Sequence, residues 1–306
     1  MALAAAKFAP APEAFSPALI ARIAERARDT RAVAIAGIYH AGSGHPGGSL
    51  SCADILATLY AAELNIDAAN PMDTARDRFI LSKGHAAPAL YGIWAAMGLM
   101  KQSEAVRLRK LGSRAQGHPH VLDMPLAETS TGSLGQGFSV AIGMALGLRL
   151  QKNAARVYAL LGDGEIQEGE VWEGAMCAAH HRLSNLCTII DYNKLQSDDR
   201  NANIMGLEPL ADKWRAFGWH VQEIDGHDIT ALLAALKTAA DCGDQPSVII
   251  AHTIKGKGVT YMEDVPQWHG SVKLTRAQAD DAFAALGLPA TTLDAMLEGA
   301  MEVRHG

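Results

Sequence analysis

The chain has 306 residues, 49% of them hydrophobic and 20% charged, with a formal net charge of -6 at pH 7. That length can bury a large core, and alternating strand and helix signals predict one large α/β domain: a mostly parallel sheet with helices on both faces. The acidic balance gives no basic footprint for nucleic acid. No run reaches the ~18 apolar residues of a membrane span, the nearest being the short, glycine-rich stretch from Gly135 to Leu148.

In chain order, residues 1–16, broken by Pro10 and Pro12, read as a flexible tail rather than a signal peptide, and 17–306 as the domain. A long helix is predicted from Pro17 to Tyr39 with Ser16 as N-cap, its apolar side carrying Leu19, Ile20, Ile23, Ala27, Ala34 and Ile38. It ends in the glycine-rich loop Ala41 to Gly48, followed by a helix from Leu50 to Leu64. Arg78 to Leu81 reads as a short buried strand, and His85 stands where that strand gives way to a helix from Ala86 to Met97, the usual place for ligand contacts in an α/β sheet. Gly117-His118-Pro119-His120 lies in a polar, irregular segment. The run from Thr129 to Gly137 opens a helix to about Leu150, and free N–H groups at a glycine-flanked helix start make an anion site.

The segment from Leu160 to Ser197 reads as strand, helix, strand. Val157 to Leu161 is an apolar run ending at Gly162-Asp163-Gly164, Glu168 to His181 has helical spacing, and Leu186 to Ile190 is a second apolar run ending at Asp191-Tyr192-Asn193. A right-handed crossover makes these strands parallel, so Asp163 and Asn193 emerge at one carboxyl edge although thirty positions apart. The rhythm continues with a helix from Pro209 to Phe217, a strand from His220 to Ile224, a helix from Ile229 to Ala240 and a strand from Ser247 to His252. Thr253 to Gly258, with Lys255, follows that strand; a polar loop leads to Trp268-His269-Gly270, and two amphipathic helices, Thr275 to Leu286 and Thr292 to Val303, finish the chain. Cys52, Cys177, Cys187 and Cys242 are widely spaced in apolar surroundings without a CxxC pair, which predicts reduced core residues and a cytoplasmic setting.

One carboxylate and one amide make an incomplete all-oxygen site. That suits Mg²⁺ or Ca²⁺ shared with the oxygens of a bound diphosphate, and not zinc, which wants cysteines or several histidines. No GxxxxGK[ST] is present, and no GxGxxG follows the first strand, so neither a P-loop nor a dinucleotide fingerprint applies. A metal-bridged diphosphate cofactor with imidazoles at 45, 85, 118 and 269 to move protons is the chemistry left.

Gly162-Asp163-Gly164 followed by Asn193 after a full βαβ unit resembles the thiamin diphosphate motif. The strings GHPGGSLS, SKGHAAPALY, TGSLGQGFSVAIGMALG, GDGEIQEGEVWEGA, DYNKLQ and KGKGV with WHG are similar, in order, to those of transketolases, over about Ile35 to Gly270. The resemblance implies the thiamin diphosphate-binding fold of the diphosphate-binding type. It implies that Asp163, the Asn193 side chain and the Leu195 carbonyl hold Mg²⁺ or Ca²⁺, and that Gly164, Asn193, His85, Lys255 and His269 contact the diphosphate side. Gly132, Ser133 and Leu134 would lie beside the aminopyrimidine. Glu165, where the family has a small or acidic residue, falls among the cofactor-binding positions, and Ser133 stands where proline is frequent. His45, His118 and His269 would line the substrate channel as catalytic residues, while Glu168 and Glu173 match positions at the interface between two active sites.

Single-chain transketolases continue into a pyrimidine-binding domain that supplies the glutamate activating the cofactor. This chain therefore resembles the N-terminal subunit of a split transketolase. The implied activity is transfer of a two-carbon ketol unit from a ketose phosphate to an aldose acceptor, with a separate pyrimidine-domain subunit, in a heterotetramer of two of each chain. The alternatives are a component of another thiamin enzyme, 2-oxoacid dehydrogenase-like or deoxyxylulose-phosphate synthase-like, and a non-catalytic binding subunit.

Overall fold

The computed structural model describes residues 15–302. The expected tail lies outside them but for Phe15 and Ser16, as does Val303, the expected end of the last helix. Seven strands form among the described residues: Arg78–Leu81 (β1), Val157–Gly162 (β2), Leu186–Tyr192 (β3), Leu195–Gln196 (β4), Asp199–Arg200 (β5), His220–Asp225 (β6) and Ser247–His252 (β7). Five of them make a wholly parallel sheet in the order β1-β2-β3-β7-β6, and β4 pairs with β5 in a small antiparallel hairpin.

The side chains explain why the sheet is covered on both sides. Every residue of β2 and β3 is buried, as central strands of a parallel sheet require. Because neighbours along a strand point to opposite faces, Tyr158, Leu160, Cys187, Ile189, Ile249 and Ala251 enter one core, and Val157, Ala159, Leu161, Ile190, Val248 and Ile250 the other. The first core packs against the Pro17–Ala41, Ala87–Ala96 and Ile229–Asp241 helices; the second packs against Gln136–Leu150, Gly169–His180 and Leu210–Ala216. In the second, Trp214 meets Phe138 and Trp219 edge to face and Trp172 at a tilt, with ring centroids 4.9–6.2 Å apart. The half-exposed strand β6 closes the sheet at one edge.

The first helix has its N-cap as expected, the Ser16 hydroxyl accepting from the Leu19 N–H, and it ends on Gly42 at φ 73°. Its second half is buried on all sides from Thr30 to Ile38, beyond the single apolar stripe expected, and the buried Arg31 pairs with Asp54. Two helix starts differ from expectation. The helix expected at Leu50 begins at Pro46, inside the glycine-rich loop, and continues in short pieces to Glu63. Position 47 in that helix is held to glycine because a Cβ would lie 2.7 Å from the Trp268 carbonyl and 2.8 Å from the Lys255 stem. The helix expected to open near Thr129 begins only at Gln136. The β4–β5 hairpin and the Gln102–Val106 and Asn201–Ile204 helices are too short to leave a periodic signal in the sequence. All four cysteines are free; Cys52 and Cys187 are buried as expected, whereas Cys177 is exposed and Cys242 half-buried. No helix of the described residues is long and apolar enough to cross a membrane.

Candidate functional site

Strand register builds the pocket. Gly162 lies opposite Asp191 and Tyr192 opposite His252, so Asp163, Asn193 and the Thr253–Lys255 segment leave the sheet side by side at its carboxyl edge. Asp163 and Asn193 do meet. Asp163 Oδ2 accepts from the Lys194 N–H at 2.5 Å and from Asn201 Nδ2 at 2.9 Å, and Oδ1 accepts from the Gly164 N–H at 2.9 Å. Asn193 Oδ1 accepts from the Leu195 N–H at 3.2 Å, and the Leu195 carbonyl accepts from Lys255 Nζ at 2.6 Å.

A carboxylate, an amide oxygen and a main-chain carbonyl are hard donors that could hold Mg²⁺ or Ca²⁺. Asp163, Asn193 and Leu195 all border one pocket, and the Leu195 oxygen is reached there by the Lys255 ammonium. Among the described residues no three His, Cys, Asp or Glu side chains converge as a metal cluster, so a cation here must use amide and carbonyl oxygens. Burial raises the Asp163 carboxyl to about 6 against the pull of Lys255, and burial lowers the Lys255 ammonium to about 8 against Asp163 and Asp191.

The four expected histidines form one row. Ring centroids are 6.4 Å apart for His118 and His45, 5.5 Å for His45 and His85, and 5.8 Å for His85 and His269. Burial, with neighbouring cations, keeps the row neutral: His45 is lowered to about 4, His269 to about 3, His85 well below its usual value, and His118 is lowered. Lys255 Nζ lies 2.6 Å from His269 Nδ1. An ammonium only donates, so Nδ1 accepts and the ring proton sits on Nε2. The Arg109 guanidinium approaches His45 Nδ1 at 3.5 Å and assigns that ring the same tautomer.

The remaining expectations divide. Gly132 and Leu134 line the pocket, but Ser133 is exposed and outside its wall. Gly132 has φ 143°, and a Cβ there would lie 2.8 Å from the His118 ring, so only glycine leaves room for that imidazole, which stands beside His45 and outside the pocket wall. Gly164 and Glu165 also border the pocket, yet both Glu165 oxygens turn inward. Oε1 accepts from Ser82 and from the Gly135 N–H, and Oε2 from the Gly162 N–H. The N–H of Gly135, at the late helix start, thus binds the protein's own carboxylate, which corrects the expectation of an open phosphate site there.

Three functional groups escaped the sequence reading. Lys83, which lines the pocket, and Asp191, which lies behind its wall, form a buried ion pair, and both sit at the ends of apolar strands, where a buried charge is itself a signal. Burial pushes the Asp191 carboxyl up, but Lys83 and the Ser51 and Thr253 hydroxyls outweigh it and the net shift is downward. Arg109, at φ 58°, hydrogen-bonds Ser43 and Ser271 at the pocket mouth, and nothing in its local sequence marks it.

Fold and site together define an α/β domain whose strand edge carries a polar pocket suited to a small anionic ligand and a hard cation. Residues 23–293 match the family model described as transketolase, thiamine diphosphate binding domain. The chain is 44% identical over 245 residues to the 6-deoxy-6-sulfo-D-fructose transketolase subunit SqwG of Clostridium sp. (strain MSTE9), covering 80% of this chain and 89% of that protein. It is 39% identical to an apulose-4-phosphate transketolase subunit of Phocaeicola vulgatus, covering 80% and 86%. The crystal structure of Campylobacter jejuni transketolase superimposes with a TM-score of 0.82 at 28% identity, over 94% of this chain and 47% of that one, so the chain spans less than half of that enzyme. The chain belongs to the transketolase family and carries its thiamin diphosphate-binding domain.

Proposed function

We propose that the protein is the diphosphate-binding, N-terminal subunit of a two-component transketolase. It transfers a two-carbon ketol unit from a ketose phosphate to an aldose acceptor together with a separate subunit carrying the pyrimidine-binding domain, as two of each chain. The observation that carries the reading is the meeting of Asp163, Asn193 and the Leu195 carbonyl with Lys255 and a row of neutral imidazoles at one strand edge. Two relatives matched over most of their length are named as subunits of transketolases, which supports the partner. The carboxylates lining the pocket, Asp163 and Glu165, are both engaged by hydrogen bonds. In this reading the carboxylate that activates the aminopyrimidine belongs to the other chain, with Asp163 given to the cation and Glu165 turned into the protein. Free thiols fit a reducing cytoplasm.

Asp163, the Asn193 side chain and the Leu195 carbonyl hold Mg²⁺, or Ca²⁺ in its place. Gly164, Asn193, His85, Lys255 and His269 face the diphosphate, and Gly132 and Leu134 lie beside the aminopyrimidine. The cofactor supplies a carbon nucleophile and an electron sink for breaking a carbon–carbon bond next to a carbonyl. The chain's own contribution is donor placement. His269 and His45 each present an Nε2–H to sugar oxygens, and His118 stands next in the row to relay protons. Neutral rings suit the task, because with Nδ1 facing a cationic donor the Nε2–H is held ready to give a hydrogen bond to a sugar oxygen.

Titrating the full chain with thiamin diphosphate in a calorimeter, with and without Mg²⁺, tests the site; uptake that ignores the metal refutes the assignment. Assaying the chain alone and with its pyrimidine-domain partner tests the division of labour. Full ketol transfer by the isolated chain refutes the two-component reading, and pyruvate decarboxylation without ketol transfer by the pair favours a different thiamin enzyme.

A further inference from the structure

One buried ion pair ties together four segments that carry site residues. Asp191 Oδ2 accepts from Lys83 Nζ and from the Ser51 hydroxyl at 2.5 Å, and Oδ1 accepts from the Thr253 hydroxyl. Lys83 Nζ also donates to the Gly48 carbonyl at 2.8 Å. Each strand-end member stands two residues before a site residue: Lys83 before His85, Asp191 before Asn193, and Thr253 before Lys255. Gly48 and Ser51 belong to the helix that starts directly after His45. Asp191 is fully buried and outside the pocket wall, so it acts through its neighbours.

Its influence on Asn193 is the most direct. Asn193 Nδ2 points back at the Asp191 carbonyl and Oδ2, at 3.4 and 3.5 Å, which turns Oδ1 away from Asp191, where it accepts from the Leu195 N–H. Apolar residues of the same shape commonly replace a buried ion pair without loss of stability. What apolar residues cannot supply is direction. The carboxylate has donors on both oxygens and the ammonium reaches a second segment, so four chain segments are fixed in mutual spacing by hydrogen-bond geometry.

We propose that Asp191, with Lys83 as its counter-ion, is a positioning residue that sets the spacing of His45, His85, Asn193 and Lys255 and aims the Asn193 oxygen into the pocket. The proposal rests on the reading of these residues as the metal and diphosphate side of the cofactor site.

The experiment compares the full-length protein with Asp191→Asn, Lys83→Met and the double variant. It reads Tm, Mg²⁺-dependent thiamin diphosphate binding by calorimetry, and amide hydrogen exchange over 193–197 and 253–258. Each single change leaves a buried charge without its partner and lowers Tm; the double change restores most of it. Cofactor affinity in the double variant stays about 10- to 100-fold weaker, the usual cost of losing an outer-shell partner, and the two segments exchange faster. A double variant with restored Tm and wild-type affinity overturns the proposal. Should the single variants fail to fold, Thr253→Val removes one donor and keeps the shape: weaker binding at unchanged Tm supports the proposal, and wild-type affinity overturns it. If wild-type protein takes up no thiamin diphosphate, the functional reading falls; the positioning role is then judged on exchange alone, and unchanged exchange in the double variant refutes it.

Discussion

The floor of the pocket and its mouth are built by different means. At the floor, Asp163, Asn193 and Lys255 leave adjacent parallel strands, and the buried carboxylates of Asp191 and Glu165 take donors from five segments around them. At the mouth, His45, His118 and Arg109 stand on loops, and Arg109 is held by the hydroxyls of Ser43 and Ser271. Strand register permits little variation in where the floor atoms lie, whereas hydroxyls on loops can be exchanged without disturbing the sheet. On the function proposed above, the cofactor would rest on the strand-built floor and the sugar would enter through the loop-built mouth.

The largest effect expected from breaking the floor is at Asp163. Asp163→Ala removes the only carboxylate among the three proposed cation ligands, and loss should exceed the about 10- to 100-fold typical of an outer-shell partner. Calorimetry should then register no Mg²⁺-dependent cofactor uptake, and unchanged affinity would mean that the cation sits elsewhere. His269 bridges floor and mouth through its bond to Lys255, so His269→Ala should weaken cofactor binding and lower kcat together, by about tenfold or more. Normal kinetics would remove it from the site.

Glu165→Ala strikes the floor without touching a proposed cation ligand. It strands the Ser82 hydroxyl and the Gly135 and Gly162 N–H groups in a buried place, at a cost on the order of 1–3 kcal/mol for each that finds no new partner. That corresponds to a fall in Tm of several degrees for a chain of this size. A melting curve unchanged from wild type would show that Glu165 is exchangeable and that the late helix start at Gln136 has another cause.

How legible these regions were follows from their construction. The strands Arg78–Leu81 and Ser247–His252 were read from sequence to the residue, because apolar runs bounded by polar ends mark buried parallel strands. The same logic placed Asp163 beside Asn193. The partnership of Lys83 with Asp191 was not legible, because a lone charge at a strand end does not name a counter-ion 108 positions away. The Thr131 to Gly135 stretch misled because its glycines fit a helix start and a loop equally; tertiary contact between Glu165 and Gly135 decided for the loop. The mouth was half legible. Its histidines stood out as residue types, but Arg109 depends on a left-handed backbone and hydroxyls distant in sequence.

The smallest expected effect tests the mouth alone. Arg109→Met removes a positive charge 3.5 Å from His45 Nδ1 and leaves the strand edge intact, so Mg²⁺-dependent cofactor affinity should stay at the wild-type value while KM for the sugar rises. Burial is the main reason that His45 is lowered to about 4, with Arg109 second, so its pKa should rise only part of the way back to the ordinary histidine value. The sign follows from proton counting. Between about 4 and the ordinary histidine value the unfolded chain holds a proton that folded His45 lacks, so this residue's contribution to stability is complete above that window and lost as pH falls through it. In Arg109→Met the window narrows from below, so less stability is lost on acidification, and the acid limb of ketol transfer moves to higher pH because His45 protonates sooner. An acid limb that stays in place with an unchanged KM would mean that Arg109 only braces the loop. A drop in cofactor affinity would mean that mouth and floor are one unit, and the division between them would fail.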